Sequence, residues 1–109
     1  MQSTLQHIEA AHSAAKACGL SLDQVLVLVT VAIVSRQRPA TFNTIQCYQR
    51  KRCRVYTFQN LLDIIHHLRD LDLITFTVAN TKHLYSLTDT GADLLEQFHR
   101  HLEHTNPSK

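Results

Sequence analysis

The sequence predicts an α+β fold, mainly α, in which four helices lead into a two-stranded hairpin and a last helix closes the chain. Three observations carry that reading. Apolar residues recur at helical spacing as far as Leu71. After Asp72 the period drops to two, as Ile74, Phe76 and Val78 alternate with Thr75 and Thr77. Turn and capping residues (Gly19, Ser21, Pro39, Thr57, Asn80, Thr88) fall at the joints between these stretches.

In chain order, residues 3–17 form an amphipathic helix with Leu5, Ile8, His12 and Ala15 on one stripe, and Gly19 stops it. Ser21 and Gln24 make the capping box of a second helix. From Leu22 to Val34 that helix is apolar nearly all round and belongs in the core. It ends before Pro39, since the residue ahead of a proline disfavours the helical region. Pro39-Ala40 reads as an extended link or one short strand.

Thr41 or Asn43 caps a third helix reaching about Arg50, with Phe42 and Ile45 inward. The run Arg50-Lys51-Arg52-Cys53-Arg54 either extends it or forms the turn that follows. Thr57 caps a fourth helix with Leu61, Ile64, Ile65, Leu68 and Leu71 at helical spacing. Ala79 to Lys82 is a turn in which Asn80 best tolerates a positive φ, and Leu84 to Leu87 pairs back as the second strand. Thr88 caps the last helix, with Ala92, Leu95, Phe98 and Leu102 on its inner side.

With 109 residues there is room for one domain, 1–109. It divides into an N-terminal helix (1–18), a core (21–88), a C-terminal helix (89–104) and a polar tail (105–109) expected to fray. A hydrophobic fraction of 44% excludes general disorder. A core this small gains from dimerisation.

Net charge is only +2, but its distribution is uneven. No acid lies between Asp23 and Asp63, a span holding Arg36, Arg38, Arg50, Lys51, Arg52 and Arg54, and the acids gather later. Such a polarised surface attracts phosphates without high total charge. Cys18, Cys47 and Cys53 have no metal spacing and read as reduced thiols of a cytoplasmic protein. The first residues, with Gln6, His7 and Glu9, do not form a signal peptide. Val25 to Val34 is about half the roughly 20 residues a membrane span needs.

Helix, turn, helix and then a β-hairpin is the winged-helix arrangement. The stretch Leu68-Arg69-Asp70-Leu71-Asp72-Leu73-Ile74 resembles a recognition helix running into the wing of the multiple-antibiotic-resistance regulator (MarR) superfamily and of PadR-type regulators. Leu84-Tyr85-Ser86-Leu87-Thr88-Asp89-Thr90-Gly91-Ala92-Asp93-Leu94-Leu95 resembles their second wing strand and next helix, and its Leu-Thr-x-x-Gly element is the most specific piece. The likeness covers residues 21–102. The chain departs from it in a longer loop before the fourth helix, in Asp72 at a usual glycine, in a wing tip that is neither basic nor glycine-rich, and in short flanking helices.

This resemblance implies a DNA-binding transcriptional regulator, without cofactor or catalysis, acting on double-stranded DNA as a homodimer. Base contacts fall on the start of the fourth helix, at Thr57, Gln59, Asn60 and Asp63, with His66 or His67 further along. Arg50, Lys51, Arg52 and Arg54 would hold phosphates, joined by Lys82 and His83 from the wing. The dimer would pair the first and last helices through Leu5, Ile8, His12, Phe98 and Leu102. A small-molecule effector is left open.

Plainer readings stand beside these. Gln59 and Asn60 also suit an ordinary solvent-facing helix, and the basic run a solvated loop. Asp63 would repel phosphate unless aimed at a base. Tyr48, Tyr56 and Phe58 read as packing anchors for the loop in preference to stacking on DNA. The eight histidines make no complete metal set, since His101 and His104 at i, i+3 leave zinc short of ligands. Cys53 between two arginines is the one thiol placed for reactivity. No phosphate loop, carboxylate pair or nucleophile elbow marks an enzyme. A winged-helix protein–protein adaptor is the alternative function, because the fold also serves as an interaction module.

Overall fold

The computed structural model describes residues 4–52 and 56–105, and the side chains of residues 9–51 and 56–103. Its elements are α1 (Thr4–Ala17), α2 (Leu22–Gln37), α3 (Phe42–Arg52), α4 (Phe58–Asp70), β1 (Ile74–Ala79), β2 (Lys82–Leu87) and α5 (Asp89–Thr105). The expected tail therefore starts one residue late, because Thr105 is still helical. Residues 106–109 lie outside the described residues.

α2 sits at the centre and touches α1, α3, α4, α5 and β2. Ser21 and Gln24 cap it reciprocally: the Gln24 amide donates to Ser21 Oγ at 3.2 Å and the Ser21 amide donates to Gln24 Oε1 at 2.9 Å. Val25, Val27, Leu28, Val31 and Val34 are buried. Each large aliphatic side chain so enclosed contributes on the order of 1.5–3 kcal/mol. The helix ends before Pro39 as expected: it runs to Gln37 and stops where Arg38 turns extended (φ −162°). Ala40 is no third strand, but its carbonyl accepts one bond from the Tyr85 amide at 2.8 Å and ties the link to the wing.

α3 starts at Thr41, whose hydroxyl accepts from the Thr44 amide (3.2 Å) while Thr44 Oγ1 accepts from the Thr41 amide (2.8 Å). Ile45 is buried on it, and so is Gln49. Gln49 Nε2 donates to Thr30 Oγ1 at 3.2 Å, and Thr30 in turn donates to the Leu26 carbonyl. Gln49 Oε1 has no partner among the described residues, and an enclosed polar atom so left costs about 1–3 kcal/mol. Tyr56 anchors the loop as expected, buried and donating to Asp23 Oδ1 at 2.8 Å.

α1 and α4 end in the same device. After α1, the Leu20 amide donates to the Ala15 carbonyl and the Gly19 amide to the Lys16 carbonyl, with Gly19 at φ 81°. After α4, the Leu73 amide donates to the Leu68 carbonyl and the Asp72 amide to the Arg69 carbonyl, with Asp72 at φ 62°. Both are Schellman caps, and the second holds a carboxylate residue in the left-handed position that suits glycine. Leu71, read as an inner α4 position, is the cap residue and is exposed; Leu73, two residues on, is buried in its stead.

β1 and β2 pair antiparallel, with Ile74 opposite Leu87, Phe76 opposite Tyr85 and Val78 opposite His83. Burial fades along this face from Ile74 and Tyr85 at the base to an exposed Val78 at the tip. The turn is two residues, not four: Asn80 and Thr81 both have positive φ (52° and 63°), so Lys82 and His83 belong to β2.

Thr88 then joins three elements. Its amide donates to the Leu73 carbonyl at 3.1 Å, its hydroxyl donates to the Asp72 carbonyl at 2.6 Å, and that oxygen accepts from the Gly91 amide at 3.0 Å. A Cβ on Gly91 would meet the Leu73 carbonyl oxygen at 2.0 Å. Thus Leu87-Thr88-Asp89-Thr90-Gly91 is a helix start pressed against the end of α4. Gly91, Leu95 and Phe98 form the buried stripe of α5 and Leu102 is half-buried, whereas Ala92, expected inward, is exposed one position out of phase.

Candidate nucleic-acid interface

α4 buries Leu61, Ile65 and Leu68 and leaves Gln59, Asn60, Asp63, His66, His67 and Asp70 exposed. The four residues expected to meet bases are not equivalent. Thr57 Oγ1 accepts from the Asn60 amide at 3.1 Å, so its oxygen is engaged in capping. Gln59 Nε2 donates to Asp63 Oδ1 at 2.8 Å, pairing two of the expected readers with each other. That bond turns the Asp63 charge toward its own helix and leaves the Gln59 carbonyl free to accept. The Asn60 side-chain amide is exposed and has no partner among the described residues.

Exposed cations lie on two other elements, α3 and the wing. α3 continues through Arg52, so Arg50, Lys51 and Arg52 extend the helix and do not form a turn. Arg50 and Lys51 are exposed; the Arg52 side chain and all of Cys53 and Arg54 lie outside the described residues. Lys82 and His83 are exposed on the wing, and the His83 ring packs 4.5 Å from Phe76. The Arg69 guanidinium sits 4.5 Å from the centroid of that same Phe76 ring, in β1, so α4 and the wing are clamped together. This Arg69–Phe76 clamp went unread because its two residues belong to different elements.

Arg36 and Arg38 were visible in the basic block but carried no assignment. Both line a groove against Thr77, Leu84 and Ser86 of the wing. Arg38 also joins Lys51 at the rim of a cleft of about 490 Å³ between α2 and α3, floored by Ile33 and Val34. No acid lines either depression. The arrangement can attract an anionic polymer and present it with short polar side chains.

Tyr85, at the base of the wing, is buried; that burial pushes its phenol up, and nearby Arg69 draws it partly back. Burial likewise raises the Cys18 thiol, which makes it a poor nucleophile. Cys47 is exposed and free. Among the described residues no three His, Cys, Asp or Glu side chains converge on a point where a metal could sit, and no single helix is long and apolar enough to cross a membrane.

Of the residues expected at a dimer interface, Leu5 and Ile8 have side chains outside the described residues. His12 is exposed; among the described side chains of α1, Ala10, Ala14 and Ala15 are buried within the chain. Phe98 is only 6% exposed and packs in the chain's own core. Leu102 packs at the edge of that core. α1 and α5 pack on each other within the chain.

No family model matches the chain, and no curated protein matches it by sequence. Solved structures do. A point variant of MepR from Staphylococcus aureus, bound to an oligodeoxyribonucleotide, superposes with a TM-score of 0.79 at 18% identity, over 95% of this chain and 73% of that one. A MarR-family transcriptional regulator from Rhodococcus sp. gives 0.73 at 14% identity, over 93% and 69%. The disulfide form of AbfR gives 0.72 at 18%, over 94% and 67%. At these identities the likeness establishes the fold, a MarR-type winged helix.

Proposed function

We propose that this chain is a sequence-specific DNA-binding transcriptional regulator of the cytoplasm, working as a homodimer with α4 in the major groove. One observation carries the reading. The start of α4 offers Gln59 and Asn60 to the outside, and exposed cations stand on α3 and on the wing. Asn60 pairs with adenine, and the Gln59 carbonyl accepts from a cytosine or adenine amino group. Arg50, Lys51, Arg52 and Arg54 hold phosphates on one side, Lys82 and His83 on the other. The likeness to a regulator bound to an oligodeoxyribonucleotide supports this.

The dimer brings α1 and α5 of two copies together, with Leu5, Ile8, His12 and Leu102 at the contact and Phe98 beneath it. Two α4 helices then address half-sites about one helical turn apart.

Fluorescence anisotropy against labelled mixed-sequence duplexes at several salt concentrations tests the reading. With about five phosphate contacts per subunit, the log–log salt slope is expected to be on the order of −4 or steeper. A second reading, a protein–protein adaptor, is favoured by the exposed Asp63 and Asp70 on the same face of α4. Absence of duplex binding even at low salt would sink the DNA reading and leave the adaptor.

A further inference from the structure

Phe58 is the largest apolar side chain left in the open among the described residues, 62% exposed. It is the first residue of α4, directly after the Thr57 cap, where a recognition helix meets base edges. Its ring is seated against Phe42, with centroids 4.9 Å apart and planes tilted by 50°, which fixes one face and leaves the other bare.

The direction of that bare face follows from helix phase. Phe58, Leu62 and Arg69 share one stripe at i, i+4 and i+11, bordering the buried stripe of Leu61, Ile65 and Leu68. Arg69 lies over Phe76 in β1, so the stripe looks toward the wing. Phe42 in turn lines a cleft of about 260 Å³ with Lys82 and His83 of β2. Asp63 and Asp70 fall on the other side of the helix. The first turn of α4 holds no acid, although the helix dipole favours one there. An exposed ring at a helix start, with no carboxylate in its turn, suits a polyanion carrying apolar groups better than it suits water.

The major groove offers one such apolar group, the thymine 5-methyl. We infer that Phe58 reads a thymine methyl in the major groove, an inference that rests on the DNA-binding reading. The ring is braced against Phe42 and stands on a helix that enters the groove side-on, so it meets a base edge and is not a wedge between base steps. Phe58 thereby adds an apolar contact to the hydrogen-bonding readout by Gln59 and Asn60.

The test begins with duplexes selected from a random pool by the full chain. Each thymine in the selected site is then replaced singly by deoxyuridine, which removes only the methyl. One replacement is expected to weaken binding about fourfold, the value of one buried methyl, and to cost Phe58→Ala nothing. The variant keeps its fold, checked by thermal melting, since the side chain is exposed. Two results overturn the inference alone: binding that tolerates deoxyuridine at every position, or a deoxyuridine penalty equal in Phe58→Ala. Failure to bind any duplex at low salt overturns the DNA-binding reading and this inference together.

Discussion

α2 and α4 are neighbours of similar length, 16 and 13 residues, yet they meet the rest of the molecule in opposite ways. α2 is touched by four helices and β2, and between Val25 and Val34 its apolar residues run around most of the cylinder. α4 buries one stripe, Leu61, Ile65 and Leu68, and turns polar side chains outward. A helix enclosed on most sides has few residues free to vary without a packing cost. A helix with one bare face can change what it presents while its buried stripe keeps it in place.

The strongest way to break the comparison is to show that α2 tolerates change. Leu28→Ala, at a fully buried site, is expected to lose roughly 2–5 kcal/mol in urea denaturation. A loss below about 1 kcal/mol would mean that the core relaxes around the cavity and that α2 is not its rigid centre. Next in size is the joint behind α4. Gly91→Ala would drive a methyl into the Leu73 carbonyl, and a loss of about 1–3 kcal/mol is expected from the same assay.

The bare face behaves differently. Asn60→Ala should leave stability within about 0.5 kcal/mol while changing base preference at one position by about 1–3 kcal/mol, read by competition between single-base duplex variants. A thermal melt shifted as far as that of Leu28→Ala would show that the two helices are not divided in this way. The smallest effect has the opposite sign. Asp72→Gly relieves a left-handed backbone at the α4 cap, and a gain of about 0.5–1 kcal/mol is expected from equilibrium unfolding.

Much of the fold is readable from local chemistry. The Ser21–Gln24 box, the change of period after Asp72 and the Thr88 cap are each written within a few adjacent residues, and all three stand in the structure. Errors arose where neighbours in space decide. Thr81 takes a left-handed conformation that its β-branch disfavours, because the two-residue hairpin demands it of both turn positions. Gln49 looks like a surface residue among polar neighbours, and only the approach of Thr30 from α2 encloses it.

The candidate site was harder to read than the fold. The outward positions of α4 follow from its periodicity, but the Gln59–Asp63 bond that sets them apart from Asn60 depends on rotamers. Phe58 was expected to pack against the loop; it lies open because Phe42 covers only part of its ring.

The Thr88 junction also gives the molecule a lever. With the Asp72 and Leu73 carbonyls bonded to Thr88 and Gly91 pressed on Leu73, the root of α5 and the tail of α4 form one corner. α4 is about 20 Å long. A tilt of that corner by about 10° would carry Gln59 and Asn60, at the far end, by roughly 3 Å. The angle set at Thr88 therefore governs where the exposed end of α4 lies.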